Sequence, residues 1–135
     1  MSGEHRGRDG EAVVMRRYGP PAVLGVERIT LPALSPDEIC VRSIASAVNH
    51  SDLEIRAGNW PIQRADPFPC TPGLEVLGEV VETGAAVSDF RVGDRVITMM
   101  QGLGGVRAQR PGGYAEHVIV RASAAALVPS DLDPF

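Results

Sequence analysis

The sequence has no lysine, only two cysteines and only six aromatic residues among its 135 positions. Cys40 and Cys70 lie thirty positions apart and cannot make a disulfide framework, so we expect a reducing compartment, the cytoplasm. No apolar run approaches the roughly 18 residues that a membrane span needs. The net charge of −4 offers no basic surface for nucleic acid or for an anionic membrane. Composition therefore excludes both from the expected partners.

Glycine and proline are abundant by contrast, at 15 and 11 residues. They separate short strand-forming runs, among them 76–82, 95–99, 114–120 and 124–128. Six or seven such strands between Gly/Pro turns predict a mainly β fold, a barrel or a sandwich. With few aromatics, its core must be filled by valine, isoleucine, leucine and alanine. We expect residues 1–10, which are polar and charged, to be a disordered tail before one domain over 11–135.

One short helix is predicted in the middle of the chain. Ser51–Arg56 is the best candidate, with Asn49 or Ser51 as its N-cap and an end near Gly58. The four prolines that follow within 59–73 predict an irregular loop.

Two features suggest a dinucleotide-binding loop and a zinc site, but each lacks residues that the site requires. The glycine-rich segment 102–113 has Arg107 where a dinucleotide-binding loop needs its third glycine, and Pro111 follows where a helix should begin. We therefore predict a hairpin loop there. Neither Cys40 nor Cys70 belongs to a close ligand pair, so we expect no structural zinc.

The most informative segment begins at Gly73-Leu74-Glu75. The next glycines follow at Gly78 and Gly84, and the small apolar residue Val87 comes after them. This spacing resembles the zinc alcohol dehydrogenase signature, with Leu74 in place of its histidine. Three further blocks resemble the same family, in the same order along the chain: Val48–Asp52, Gly58–Pro61 and Gly112–Glu116.

The chain thus resembles the N-terminal GroES-like domain of the medium-chain dehydrogenase/reductase superfamily, over roughly Ala12–Pro129. The resemblance implies a partly open β-barrel with one or two short helices. Asn49 stands where zinc-dependent members have a cysteine, Leu74 replaces a ligand histidine, and the four-cysteine lobe is missing. The resemblance therefore implies a branch without zinc, that of quinone oxidoreductases and enoyl reductases. Glu54 stands where this branch carries a tyrosine.

By this resemblance, the domain forms the substrate side of an NADPH- or NADH-dependent oxidoreductase that reduces a quinone, an activated C=C or a carbonyl. The small-molecule substrate and the nicotinamide would meet Asn49, with Ser51 or backbone amides stabilising the developing oxyanion and His50 or Ser51 supplying the proton. Asp52 completes the predicted catalytic set, and Trp60 and Glu75 are expected at the pocket rim.

The same residues also have structural interpretations. Asn49 and Ser51 would cap the helix, Asp52 would pair with Arg56 four positions on, and Glu75 would hold the barrel rim together.

A second hypothesis is a stand-alone GroES-like module without catalysis of its own. The segment 129–135 lies where the family crosses into its Rossmann domain, so we expect that cofactor-binding domain to be absent from this chain. A barrel face would then be exposed and would favour a homo-oligomer or a partner protein. A chaperonin cofactor with the same barrel is a third, weaker idea, because the Gly73–Glu75 and Asn49–Gly58 blocks match the dehydrogenases.

Overall fold

The computed structural model describes residues 7–99, 103–104, 110–129, 131 and 133–135. Within these ranges it contains seven strands, one α-helix and two short 3₁₀ turns. The strands are β1 (Arg8–Met15), β2 (Leu24–Leu31), β3 (Glu38–Ala45), β4 (Glu75–Thr83), β5 (Arg95–Met99), β6 (His117–Arg121) and β7 (Ala125–Leu127). The helix α1 spans His50–Ala57, and the 3₁₀ turns are Pro21–Val23 and Ala122–Ala124. None of the described helices is long and apolar enough to cross a membrane.

Five strands form one antiparallel sheet in the order β6-β3-β4-β5-β7. The sheet curls into a half-barrel, which confirms the predicted mainly β fold with a partly open barrel. Its core is filled mainly by β-branched side chains, as the shortage of aromatics requires, with Phe90 as the one aromatic member of the described cluster. The buried members are Ile39, Val41, Val76, Val80, Phe90, Val96, Leu103, Val118 and Val120.

The hairpin of β1 and β2 packs on the other face of this sheet. Leu31 of β2 is buried against Cys40 of β3 and Ile119 of β6. The strand β1 already begins at Arg8, which pairs with Leu31. The prediction of a disordered tail through Gly10 is therefore wrong for its last three residues, because long-range pairing with β2 orders them. Residues 1–6 lie outside the described part of the chain.

The helix α1 lies close to the predicted limits, one residue longer at each end. Asn49 is its N-cap, and Gly58 ends it in the left-handed region at φ 85°. Ile55 of α1 packs with Met15, Ile62 and Leu74 in a second buried cluster. The helix is therefore fixed by burial of one face, which includes Asp52 in its first turn, while His50 and Leu53 are exposed.

Two predicted strands are shorter than expected. The strand predicted over 114–120 begins only at His117. The two residues before it have other partners: Ala115 forms an isolated bridge with Ala12, and the Glu116 carbonyl accepts the Ser43 N–H. The strand predicted over 124–128 is reduced to β7. Of the predicted glycine-rich hairpin loop, residue 102 and residues 105–109 lie outside the described ranges, whereas Leu103 is buried in the barrel core.

Candidate functional site

Asn49 and Asp52 together form the first turn of α1. The Asn49 N–H donates to Asp52 Oδ2 at 2.8 Å, and the Asp52 N–H donates to the Asn49 carbonyl at 3.0 Å. Asp52 is 4% exposed, and its other oxygen, Oδ1, is buried without a hydrogen-bond partner among the described residues. The expected pair with Arg56 does not form, because the Arg56 guanidinium donates to the Gly19 carbonyl instead. Asp52 is thus a buried capping carboxylate in which Oδ2 accepts a hydrogen bond and Oδ1 accepts none from the described residues.

Tyr114 lies next to this carboxylate. Its hydroxyl donates to the Ala47 carbonyl, just before α1, over a long 3.4 Å. Burial raises the pKa of Tyr114, and the nearby charges of Asp52 and Glu75 raise it further. The hydroxyl therefore keeps its proton throughout the neutral range.

Close backbone packing positions Tyr114. Gly73 adopts φ 107°, and a Cβ atom there would lie 2.7 Å from the Gly113 nitrogen and 2.8 Å from Tyr114 Cδ1. The Gly113 N–H donates to the Gly73 carbonyl at 3.0 Å, and the Ser46 hydroxyl donates to the Gly113 carbonyl at 2.8 Å. Only glycine permits this approach, so Gly73 fixes the loop that carries Tyr114.

The other predicted site residues are less tightly organised. His50 is exposed, and its Nε2 lies 3.7 Å from Glu54 Oε1 in a surface pair. Ser51 is half-buried in the first turn of α1. Trp60 is 49% exposed beyond the helix, and no described contact joins it to Asp52.

The structure therefore brings Asn49 and Asp52 into direct contact. It also places Tyr114, which the sequence analysis did not select as a site residue, within the influence of the Asp52 and Glu75 charges. The signal that could have found it was the Gly112-Gly113 pair before it, since adjacent glycines permit close backbone packing. The Tyr114 hydroxyl thus lies near the start of α1, where the charges of the Asp52 and Glu75 carboxylates act on it. Such a group can bind a polar ligand.

Comparison with known protein families matches residues 35–130 to the alcohol dehydrogenase GroES-like domain. The chain belongs to this family. The expectation drawn from the glycine spacing is thereby confirmed.

Among its curated relatives, the GroES-like domain is 34% identical over 110 residues to the chloroplast envelope quinone oxidoreductase homolog of Arabidopsis thaliana, covering 80% of this chain and 31% of that protein. It is 32% identical over 124 residues to the chloroplastic NADPH-dependent alkenal/one oxidoreductase of the same plant. That match covers 91% of this chain and 32% of that protein. The structure of Escherichia coli quinone oxidoreductase complexed with NADPH matches with a TM-score of 0.78 at 27% identity. That match covers 91% of this chain and 34% of the Escherichia coli protein. The chain thus spans about a third of the length of these relatives.

Leu74 occupies the position that the family resemblance gives to a metal-binding histidine. In this GroES-like domain it is 8% exposed and packs in the apolar cluster with Met15, Ile55 and Ile62. The described residues contain no group of three or more His, Cys, Asp or Glu side chains placed to hold a metal ion. An apolar, buried side chain at this position does not fit a zinc ligand set.

A separate cleft of about 320 Å³ opens between the β1–β2 hairpin and the proline-rich loop. Apolar side chains of Met15 and Ile62 line it, as does Cys70, whose pKa burial raises to about 11. That thiol remains protonated and unreactive at neutral pH. None of the predicted site residues lines this cleft. This cleft of the GroES-like domain is therefore separate from Asn49, Asp52 and Tyr114, none of which lines it.

Proposed function

We propose that this domain forms the substrate side of an oxidoreductase that reduces a quinone or an activated C=C or carbonyl compound with NADPH or NADH, without zinc. The observation that carries the proposal is the cluster of Asn49, Asp52 and Tyr114 at the start of α1, with an apolar Leu74 at the neighbouring ligand position. The names of the similar proteins, quinone oxidoreductase and alkenal/one oxidoreductase, support the same chemistry. The proposal places the domain in the cytoplasm.

Asn49 is the residue that would meet the nicotinamide. It is half-buried at the N-cap, its backbone N–H is engaged by Asp52, and its side-chain amide carries both donors and an acceptor. These properties fit the carboxamide side of a nicotinamide. The cofactor, when bound, supplies the hydride.

The residues of the chain supply position and hydrogen bonds. Asn49 and Ser51 stand in the first turn of α1, where donors can stabilise negative charge that develops on a substrate oxygen. His50 is exposed to solvent beside Glu54 and can relay a proton from water. Asp52 holds the turn in shape, so it acts as a positioning residue.

A turnover assay tests the proposal. The purified chain is mixed with NADPH and menadione, a quinone, and loss of NADPH absorbance is followed with and without a metal chelator. Turnover that the chelator does not change supports the proposal. In the absence of turnover, saturable binding of menadione with amide shifts at Asn49–Asp52 in NMR supports the substrate-side role. Turnover abolished by the chelator, or neither turnover nor binding, would overturn it.

A second candidate is a GroES-like binding module without catalysis. It is favoured by three exposed apolar side chains around α1, namely Val48 at 68%, Leu53 at 41% and Trp60 at 49%. Exposed apolar side chains of this kind are typical of surfaces that bind another protein, either a second copy of this chain or a partner protein. Menadione turnover by the chain itself separates the enzyme from this module.

A further inference from the structure

We propose that the cleft between the β1–β2 hairpin and the proline-rich loop binds a small amphipathic anion, a carboxylate on an apolar body. Asn49, Asp52 and Tyr114 do not line this cleft, so it is a second site, independent of the proposed function. Three of its properties support a ligand of this kind: its apolar lining, its fixed walls and its arginine residues.

The cleft has the size and the lining of a small-molecule site. Its volume of about 320 Å³ lies at the lower end of the range for ligand clefts, about 300–1,000 Å³. Since a water molecule in the liquid takes about 30 Å³, the cleft has room for about ten non-hydrogen atoms. Met15, Leu31, Ile55 and Ile62 line it, and none of them is more than 7% exposed. An apolar ligand body placed against these side chains would leave contact with water, which favours binding.

Backbone hydrogen bonds and one ring contact fix the walls of the cleft. The Met15 N–H donates to the Cys70 carbonyl at 2.8 Å, and the Cys70 N–H donates to the Met15 carbonyl at 3.0 Å, which joins the hairpin to the loop. The loop is held at a second point, where the Ile62 N–H donates to the Tyr18 hydroxyl at 2.8 Å. The Tyr18 ring also packs edge-on against Phe68, with ring centroids 5.0 Å apart. A site formed in advance loses little entropy when a ligand binds.

The cleft is basic, although the net charge of the whole chain is −4. Among the described lining residues, four are arginines and one is acidic: Arg16, Arg28, Arg64, Arg110 and Glu27. Two of the arginines already have partners. Arg16 bonds to Glu27 through both terminal nitrogens, and Arg110 donates to Glu38 at 2.8 Å. The remaining two give the cleft its surplus of positive charge.

Arg28 and Arg64 are these two residues. Arg28 belongs to the hairpin wall and Arg64 to the loop wall, and neither forms an ion pair with any residue that the structure describes. Glu11 lies opposite Arg28 in the strand pair, but the two are not bonded. A guanidinium matches a carboxylate in shape and forms charge-assisted hydrogen bonds with it. The charge therefore favours an anionic head group, and the apolar lining favours an apolar body behind it.

Titrations monitored by NMR test the inference on the full chain. Octanoate is the probe, because its length matches the room in the cleft, and octanamide is its uncharged counterpart of the same size. We expect octanoate to shift the amide signals of Ile62 and Cys70 and, at low salt, to bind at least about fivefold more tightly than octanamide. Added salt should narrow this preference, since it screens exposed charges. Acetate, which has the head group without the body, should show no saturable binding.

Arginine variants test the head-group contact. Arg64→Gln should weaken octanoate binding about threefold and leave octanamide binding unchanged. The double variant Arg28→Gln, Arg64→Gln should bind the two probes about equally. Arg91→Gln is the matched control, because Arg91 is exposed but does not line the cleft, and it should change neither affinity.

Four results would each overturn the inference. They are equal binding of octanoate and octanamide to the wild-type chain, unchanged octanoate binding in the double variant, octanoate-induced shifts confined to residues 49–52, and no saturable binding of octanoate. The substituted arginines lie at the surface, so a loss of octanoate binding with octanamide binding retained cannot come from unfolding.

Discussion

Asn49 and Asp52 bond to each other in both directions across the first turn of α1, at 2.8 Å and 3.0 Å. The buried side chain of Asp52 accepts the N–H of the N-cap residue Asn49, which is one of the donors that a helix leaves unpaired. The same side chain lies beside Tyr114. Helix formation and the shape of the site therefore depend on one carboxylate.

Replacing Asp52 should destabilise the fold. Asp52→Ala leaves the Asn49 N–H without its acceptor and should lower the free energy of unfolding by about 1–2 kcal/mol. Urea denaturation measures the change. Glu54→Ala is the control, since its carboxylate is on the same helix but pairs with exposed His50 at the surface, and it should cost less than about 0.5 kcal/mol. Equal losses in the two variants would contradict the capping role.

A methyl group at Gly73 should be much more harmful than one at Gly25. Gly73 has φ 107°, and an added Cβ would lie 2.7 Å from the Gly113 nitrogen, whereas at Gly25 nothing lies within 4 Å. Gly73→Ala should lower the free energy of unfolding by about 2 kcal/mol or more. Gly25→Ala should change it by less than about 1 kcal/mol, as measured in the same urea series. Comparable stability of the two variants would show that the contact with Gly113 is looser than described.

Local patterns in the sequence were sufficient to predict the helix and the fold class. Asn49 and Gly58 limit α1 through short-range chemistry, so its limits were nearly correct. The start of β1 at Arg8 depends on pairing with distant Leu31, which no local pattern shows. Tyr114 was missed as a site residue for the same reason, because tertiary packing of two loops brings it to Asp52.

Stability should fall on mild acidification because of His117. Burial lowers the pKa of His117 below its ordinary 6.5, and the charges of Arg8 and Arg42 lower it further against the opposing charge of Glu116. The unfolded chain therefore binds this proton more readily than the fold does, and stability is lost as pH falls through the window below 6.5. Thermal unfolding midpoints at about pH 7.5 and about pH 5.5 measure the loss. In His117→Gln the drop should be smaller, and an undiminished drop would assign it to other groups.

The exposed apolar side chains around α1 should drive association of the isolated chain. Val48, Leu53 and Trp60 are each more than 40% exposed, which leaves apolar area in water that contact with a second surface would remove. Sedimentation velocity should detect self-association of the wild-type chain. The triple variant Val48→Ser, Leu53→Gln, Trp60→Ser should have a dissociation constant at least about tenfold higher. A tenfold change corresponds to about 1.4 kcal/mol, which is a small part of the free energy of apolar burial that the variant loses. Val26→Ser with Val92→Ser is the control, because these side chains are 69% and 65% exposed but lie away from α1 in the sequence. An equal effect of the control pair would mean that association is unspecific. A wild-type chain that stays monomeric at high concentration would contradict the prediction that these apolar side chains drive self-association.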